Sequence, residues 1–184
     1  MSGARPTVEP LTGTAFGVIA DAHVHPGSGP VLPERVSEAF RGVAGIFALG
    51  DIGESAGFDA LEALAPLMAT RGADDPSDDP RSTAEYRLFE HRGRLIGAVF
   101  DAARHGLFRS NEPLDVVPDF TAALTDLFGR PVSVLLCAGT HRPAVAWRDG
   151  VLIVDPGSPT LADRCTVARL HLAADHVRVE HLAV

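Results

Sequence analysis

Short apolar runs stopped by glycine, aspartate or proline alternate with segments whose apolar residues recur every three or four positions. The first run, residues 16–20, is mostly apolar with two β-branched members, Val18 and Ile19, and predicts a buried strand. A loop over 23–32, rich in Pro26, Gly27, Gly29 and Pro30, leads to a helix over 33–40. That helix has Pro33 in its first turn, Glu34 early and Gly42 as its stop. A second strand, 43–49, runs into Gly50-Asp51. Strand, helix and strand in this order predict two parallel strands joined by a right-handed crossover.

Phe58, Leu61, Leu64, Ala65 and Met68 share the spacing of one helix face and predict a helix over 58–68. An acidic loop runs to Asp79, and a third strand is expected over 95–100. Residues 101–113 form a Gly- and Arg-containing loop, 120–128 a helix stopped by Gly129, and 132–137 and 151–154 two further strands. The last stretch alternates, Val167, Arg169 and His171 against Ala168, Leu170 and Leu172, then Val177, Val179 and His181 against Arg178 and Glu180. This predicts an antiparallel hairpin pairing 167–172 with 177–182, with its turn near Ala174-Asp175. Residues 1–14 read as a loose polar arm. Residues 15–184 read as a single α/β domain, parallel in its first half and β-rich in its second.

This pattern puts chemistry at strand ends. Asp21 and His23, at i and i+2 just past the first strand, leave an extended backbone on the same face and can grip one divalent cation. The simpler alternative is a capping Asp and a surface His. Asp51 follows the second strand, and open α/β sheets bind ligands at the carboxyl ends of their strands. Asp74 or Asp75, Asp101 or His105, and His141 close other elements in the same way.

Composition narrows the classes. A chain of 184 residues, 46% of them hydrophobic, can bury a proper core. The net charge of −8 argues against general nucleic-acid binding and is compatible with clustered metal-binding carboxylates. All 16 basic residues are Arg, which with abundant Ala, Gly and Pro suggests a GC-rich bacterial source. Cys137 and Cys165 fall in no paired spacing and read as free thiols. With no signal-peptide pattern and no apolar run near 18 residues, a cytoplasmic protein without membrane partners is expected. Oligomeric state is not legible.

In order, the chain carries Asp21-Ala22-His23, Gly50-Asp51, Gly72-Ala73-Asp74-Asp75, His105-Gly106, Ala138-Gly139-Thr140-His141 and Asp155-Pro156-Gly157-Ser158. This series, over residues 16–184, resembles the calcineurin-like metallophosphoesterases, in particular their small bacterial phosphodiesterase branch. That family pattern is D-x-H, G-D, G-N-[HC]-D, H-G, G-H-T-H and N-P-G-S. The resemblance implies an α/β fold of two mixed sheets sandwiched together and flanked by helices, αββα, with the C-terminal hairpin in one sheet. It implies hydrolysis of a small phosphodiester or phosphomonoester by a metal-activated hydroxide, with two cations sharing one aspartate. It assigns a first metal to Asp21, His23, Asp51 and His141, and makes Asp51 and Asp74 the catalytic candidates. The cofactor would be Mn2+, Fe2+, Zn2+ or Ni2+.

The second set departs from the pattern. The Asn position is Ala73 and the first His of G-H-T-H is Gly139, so neither offers a donor; the Asn before P-G-S is Asp155. Asp74 or Asp75 could replace the lost Asn as a hard ligand, and His105 matches the H-G letters, although Asp101 stands nearer the expected strand end. One firmly held metal is expected, the second being weak or missing. A catalytically weak member serving as a protein-binding scaffold is the alternative, with a precedent in the retromer scaffold subunit of the same family. The run Asp21-Ala-His23-Val-His25-Pro26-Gly27 also resembles the opening of metal-dependent amidohydrolases. Those are barrels of about 250 residues, longer than this chain.

Overall fold

Eleven strands, three α-helices and one short 3-10 helix (Pro80–Ser82) lie within the described residues, 6–27 and 31–184, of the computed structural model. Gly29 and Pro30 lie outside them. The first apolar run forms β2 (Ala15–Ile19), and α1 (Glu34–Ala39) carries the chain to β3 (Gly45–Ala48). β2 and β3 are parallel, pairing Phe16 with Gly45 and Ile19 with Ala48. The five-stranded sheet has the order β11-β10-β2-β3-β4, with β4 at Leu67–Ala69, β10 at Thr166–Leu172 and β11 at Val177–Ala183. The expected hairpin is present in the expected register, Val167 opposite Leu182 and Leu172 opposite Val177. β10 also pairs antiparallel with β2, so the hairpin closes the sheet beside the strand that leads to Asp21.

The second sheet has six strands, β1-β5-β6-β7-β9-β8, built from β1 (Val8–Pro10), β5 (Tyr86–His91), β6 (Arg94–Asp101), β7 (Val134–Ala138), β8 (Ala144–Arg148) and β9 (Val151–Asp155). Between the sheets lies one apolar layer that includes Phe16, Val18, Phe47, Phe89, Ile96, Leu136, Val154 and Leu170. The opposite face of the five-stranded sheet meets α1 and α2 (Ser55–Glu62) through Val36, Phe40, Ile46, Phe58 and Leu61. The outer face of the six-stranded sheet meets α3 (Phe120–Phe128) through Val99, Phe120, Leu124, Phe128 and Leu135. The order of layers is therefore α, β, β, α, with both sheets mixed.

Four differences from the sequence reading have physical causes. The polar lead is not loose from Val8 onward: β1 adds as a parallel edge strand to β5, and Leu11 N–H continues the pairing to the Glu90 carbonyl. The helix expected over 58–68 ends at Glu62, because Leu67 and Met68 belong to β4, whose short apolar run also satisfies helical spacing. β5 was not expected; it pairs antiparallel with β6 across a turn at Arg92-Gly93, both with left-handed φ. β8 likewise pairs with β9 across Asp149-Gly150, a turn dipeptide suited to a tight hairpin.

Candidate metal centre

The carboxyl ends of β2, β3 and β7 open on the same edge, and the backbone beyond them is laced together. Asp21 N–H donates to the Gly50 carbonyl at 3.0 Å, His23 N–H to Asp51 at 3.0 Å and Val24 N–H to Ile52 at 2.8 Å. Seven described non-glycine residues have left-handed φ, and Asp21, His23, Asp51 and His141 are four of them. Such a conformation costs a non-glycine residue on the order of 1–2 kcal/mol and turns the side chain out of the strand direction. Each chain segment therefore bends at the residue that faces the centre.

Asp21 is fully buried, and its Oδ2 accepts from Gly139 N–H at 3.1 Å. Its Oδ1 has no hydrogen-bond partner and stands 3.5 Å from His141 Nε2. His23 Nε2 is also buried without a hydrogen-bond partner, 3.9 Å from Asp51 Oδ2. The His23 and His141 rings are 5.3 Å apart between centroids. Asp21, His23 and His141 bring one ligand atom each within 4.8 Å of the others, and Asp51 joins them through His23. Two donors each about 2.1 Å from one cation stand roughly 3–3.5 Å apart; the Asp21–His141 pair has that spacing at 3.5 Å, and the His23–Asp51 pair, at 3.9 Å, is slightly wider. The two partnerless buried atoms point the same way, since each would otherwise cost about 1–3 kcal/mol.

The surrounding hydrogen bonds fix the ring tautomers. His23 Nδ1 lies 2.8 Å from Asp74 Oδ2 and His141 Nδ1 lies 3.3 Å from the Leu161 carbonyl. A carboxylate or carbonyl only accepts, so Nδ1 carries the proton in both rings and the Nε2 lone pair faces the centre. Ser158 Oγ donates to the Asp21 carbonyl at 2.7 Å and Thr160 Oγ1 to the Ala22 carbonyl at 2.8 Å, which clamps the bend after β2. Burial pushes the Asp21 carboxyl up to about 7, with nearby Asp51 adding to the rise. Burial also pushes Asp155 up to about 7, although it accepts from Thr140 Oγ1 and Gly157 N–H.

The remaining candidates separate. Asp74 is beside the centre, holding His23, with His25 Nε2 3.4 Å from the same oxygen. Asp75, expected as a ligand, has both oxygens turned to backbone: Oδ1 accepts from Ile52 and Gly53, Oδ2 from Gly72. It is a buried brace for the loop after β3. Consecutive residues in this turn face opposite ways, which is why only one of the pair reaches His23. His105, also expected as a ligand, packs edge-on to Tyr86 and is absent from both His/Asp clusters of the described residues. Asp101 Oδ1 accepts from Arg104 N–H at 2.9 Å. A bulge between Ala98 and Asp101 breaks the β6–β7 register there.

Around the lost second set is a small cavity of about 180 Å³ lined by Asp51, Asp101, Ser110, Asn111, Gly139 and Thr140 among others. Ser110 and Asn111 were not singled out from the sequence, where nothing but their loop position marks them. Gly72 is fixed by close approach: a Cβ there would lie 2.1 Å from Asp51 N. Gly139 differs, for a Cβ there would come no nearer than 3.6 Å, to the Phe100 ring, an ordinary contact, although φ is +93°.

This arrangement has counterparts. The calcineurin-like phosphoesterase superfamily domain matches residues 15–175, and the chain belongs to that family. A probable metallophosphoesterase of Methanothermobacter thermautotrophicus is 31% identical over 151 residues, 79% of this chain and 77% of the archaeal one. Vacuolar protein sorting 29 of Cryptosporidium parvum has the same fold, with a TM-score of 0.68 at 16% identity, covering 94% of this chain and 98% of that one. Wild-type Vps29 of Entamoeba histolytica, solved in complex with zinc, superposes with a TM-score of 0.66 at 18% identity, covering 92% and 98%. No described helix is long and apolar enough to cross a membrane.

Proposed function

We propose that this chain is a phosphoester hydrolase working with a divalent metal held by Asp21, His23, Asp51 and His141. The observation that carries the reading is the pair of buried, partnerless donors, Asp21 Oδ1 and His23 Nε2, beside His141 Nε2. Mn2+, Fe2+, Zn2+ and Ni2+ all accept this mixture of imidazole and carboxylate. When bound, such a cation polarises a phosphoryl oxygen and acidifies water.

The chain's own groups prepare the centre. The Gly139 N–H holds Asp21 Oδ2, so that Oδ1 faces inward. The Asp74 N–H holds Asp51 Oδ1 at 2.8 Å, leaving Oδ2 toward His23. Asp74 then acts through His23 Nδ1 and is a positioning residue. Ala73 and Gly139 contribute no donor on the far side of Asp51, so one tightly held metal and a low rate follow.

A second reading, a binding module with little catalysis, is favoured by those same two missing donors. Metal content by mass spectrometry, measured beside hydrolysis of bis(4-nitrophenyl) phosphate, separates the two. The native chain should carry one metal and turn over slowly. Asp51→Asn should abolish the activity, and Ala73→Asn with Gly139→His should raise metal count and rate together. Two tight metals at full rate in the native chain would overturn the degraded-site idea; no metal and no activity in any variant would overturn the hydrolase and favour the binding module.

A further inference from the structure

Beside His141 runs a groove of about 690 Å³, a volume typical of small-molecule sites. One wall is Thr140, His141, Arg142 and Pro143; the other is Leu161, Ala162, Asp163 and Arg164. The second wall is held in place by its own bonds to the centre. Leu161 N–H donates to Ser158 Oγ at 2.8 Å, and the Leu161 carbonyl accepts from His141 Nδ1 at 3.3 Å. The groove and the candidate ligand His141 therefore form one rigid unit.

The lining combines apolar surface with two cations, Arg142 and Arg164. Leu161 is 54% exposed, an apolar side chain with nothing packed over it. Arg142 Nη1 donates to Glu112 Oε2 at 2.8 Å, a pair exposed on both sides, and Glu112 does not line the groove. The Arg164 guanidinium has no ion pair or hydrogen bond with any described residue. Asp163 is the one acid on the walls and offers an acceptor for a hydroxyl. In a chain of net charge −8, the groove carries an arginine on each of its two lining segments against the single acid Asp163.

We propose that this groove seats the alcohol portion of the phosphoester substrate, and that the alcohol carries a second anionic group, a carboxylate or a further phosphate, bound between Arg142 and Arg164. Leu161 and Pro143 cover its apolar part. The proposal rests on the hydrolase reading for the scissile bond, but the groove itself can be tested without it. Guanidinium groups are suited to such oxyanions because their paired N–H donors match two oxygens at once.

The test compares bis(4-nitrophenyl) phosphate with its analogue bearing a carboxylate on one ring. Metal-loaded native protein should prefer the carboxylated ester about tenfold in kcat/KM. Arg164→Gln and Arg142→Gln should each reduce that preference severalfold, Arg164→Lys should restore part of it, and metal content should stay constant. Binding of the carboxylated ester to EDTA-treated protein, followed by saturation-transfer NMR, should weaken in the same two variants. Hydrolysis of both esters with a preference indifferent to the arginines would overturn the groove and leave the hydrolase standing. Arginine-dependent binding with no hydrolysis by metal-loaded protein would retain the groove and overturn the hydrolase.

Discussion

Asp21→Asn should strengthen the metal-free fold at neutral pH while destroying its capacity for metal. The Asp21 carboxyl is completely buried, and it is pushed from its ordinary value of 3.8 to about 7. Its folded value is thus raised above its unfolded one. Between pH 4 and 7 the folded chain keeps a proton that the unfolded chain releases, so metal-free stability falls as pH rises through that window and is level above it. The interval of about 3 pH units, at about 1.4 kcal/mol each, gives roughly 4 kcal/mol. Part of this is shared with Asp155, which is raised by burial and by its proximity to Asp21. Asn has the shape of the protonated carboxyl and can still accept from the Gly139 N–H. Urea denaturation in EDTA at pH 5 and pH 8 reads the effect. About two of those units lie between pH 5 and the folded value, so the native chain should lose about 2–3 kcal/mol more than Asp21→Asn between the two pH values, a difference that includes the release of Asp155 from its carboxylate neighbour. In saturating Mn2+ at pH 8 the order should invert, because binding to the folded state stabilises only the native chain. An identical pH dependence in the two proteins would refute the buried-carboxyl argument, and equal stabilisation by Mn2+ would refute the ligand assignment.

Asp74→Ala should lower metal affinity about 10–100-fold with little change in melting temperature, since it frees the His23 ring without emptying a buried site; competition with a chromogenic chelator measures this. Asp75→Ala should instead destabilise the fold by about 3 kcal/mol or more, because three buried backbone N–H groups lose their acceptor, and denaturation in EDTA should register the loss without any metal. Leu170→Pro, in a strand paired on both sides, should cost roughly 3 kcal/mol or more; unchanged melting would contradict the central place of β10.

The strand ends bearing Asp21, Asp51 and His141 were legible because each is a buried apolar run that stops abruptly at a chemically capable residue. The C-terminal hairpin was legible to the residue, its alternation having one face on the core. β5 was missed because Arg92-Gly93 is a weak turn signal and Tyr86–His91 is charged at Arg87 and Glu90. β8 was missed for a different reason: it is a half-exposed edge strand whose apolar Val145 and Trp147 face solvent, although Asp149-Gly150 marked the turn. Asp74 and Asp75 are identical in chemistry and adjacent in sequence, so only the direction of the turn separates a brace for His23 from a brace for the backbone. His105 matched its letters, yet a residue several positions past the bulge in β6 leaves the shared edge.

The clamp on the bend after β2 also sets the order in which the molecule can be finished. Ser158, which holds the Asp21 carbonyl, lies 137 residues further along the chain, and Gly139, which holds its carboxylate, lies 118 residues along. β2 itself lacks one of its two neighbours until β10 arrives. On a ribosome, the first half of the protein would emerge with Asp21, His23 and Asp51 already made but without His141 and without the Gly139 and Ser158 contacts that hold Asp21. Contacts of such long sequence separation form slowly, after their loop-closure entropy has been overcome. Completion of the candidate ligand set is therefore a late event of folding, and an ion captured by an unfinished chain would meet a different set of ligands from the one in the completed fold.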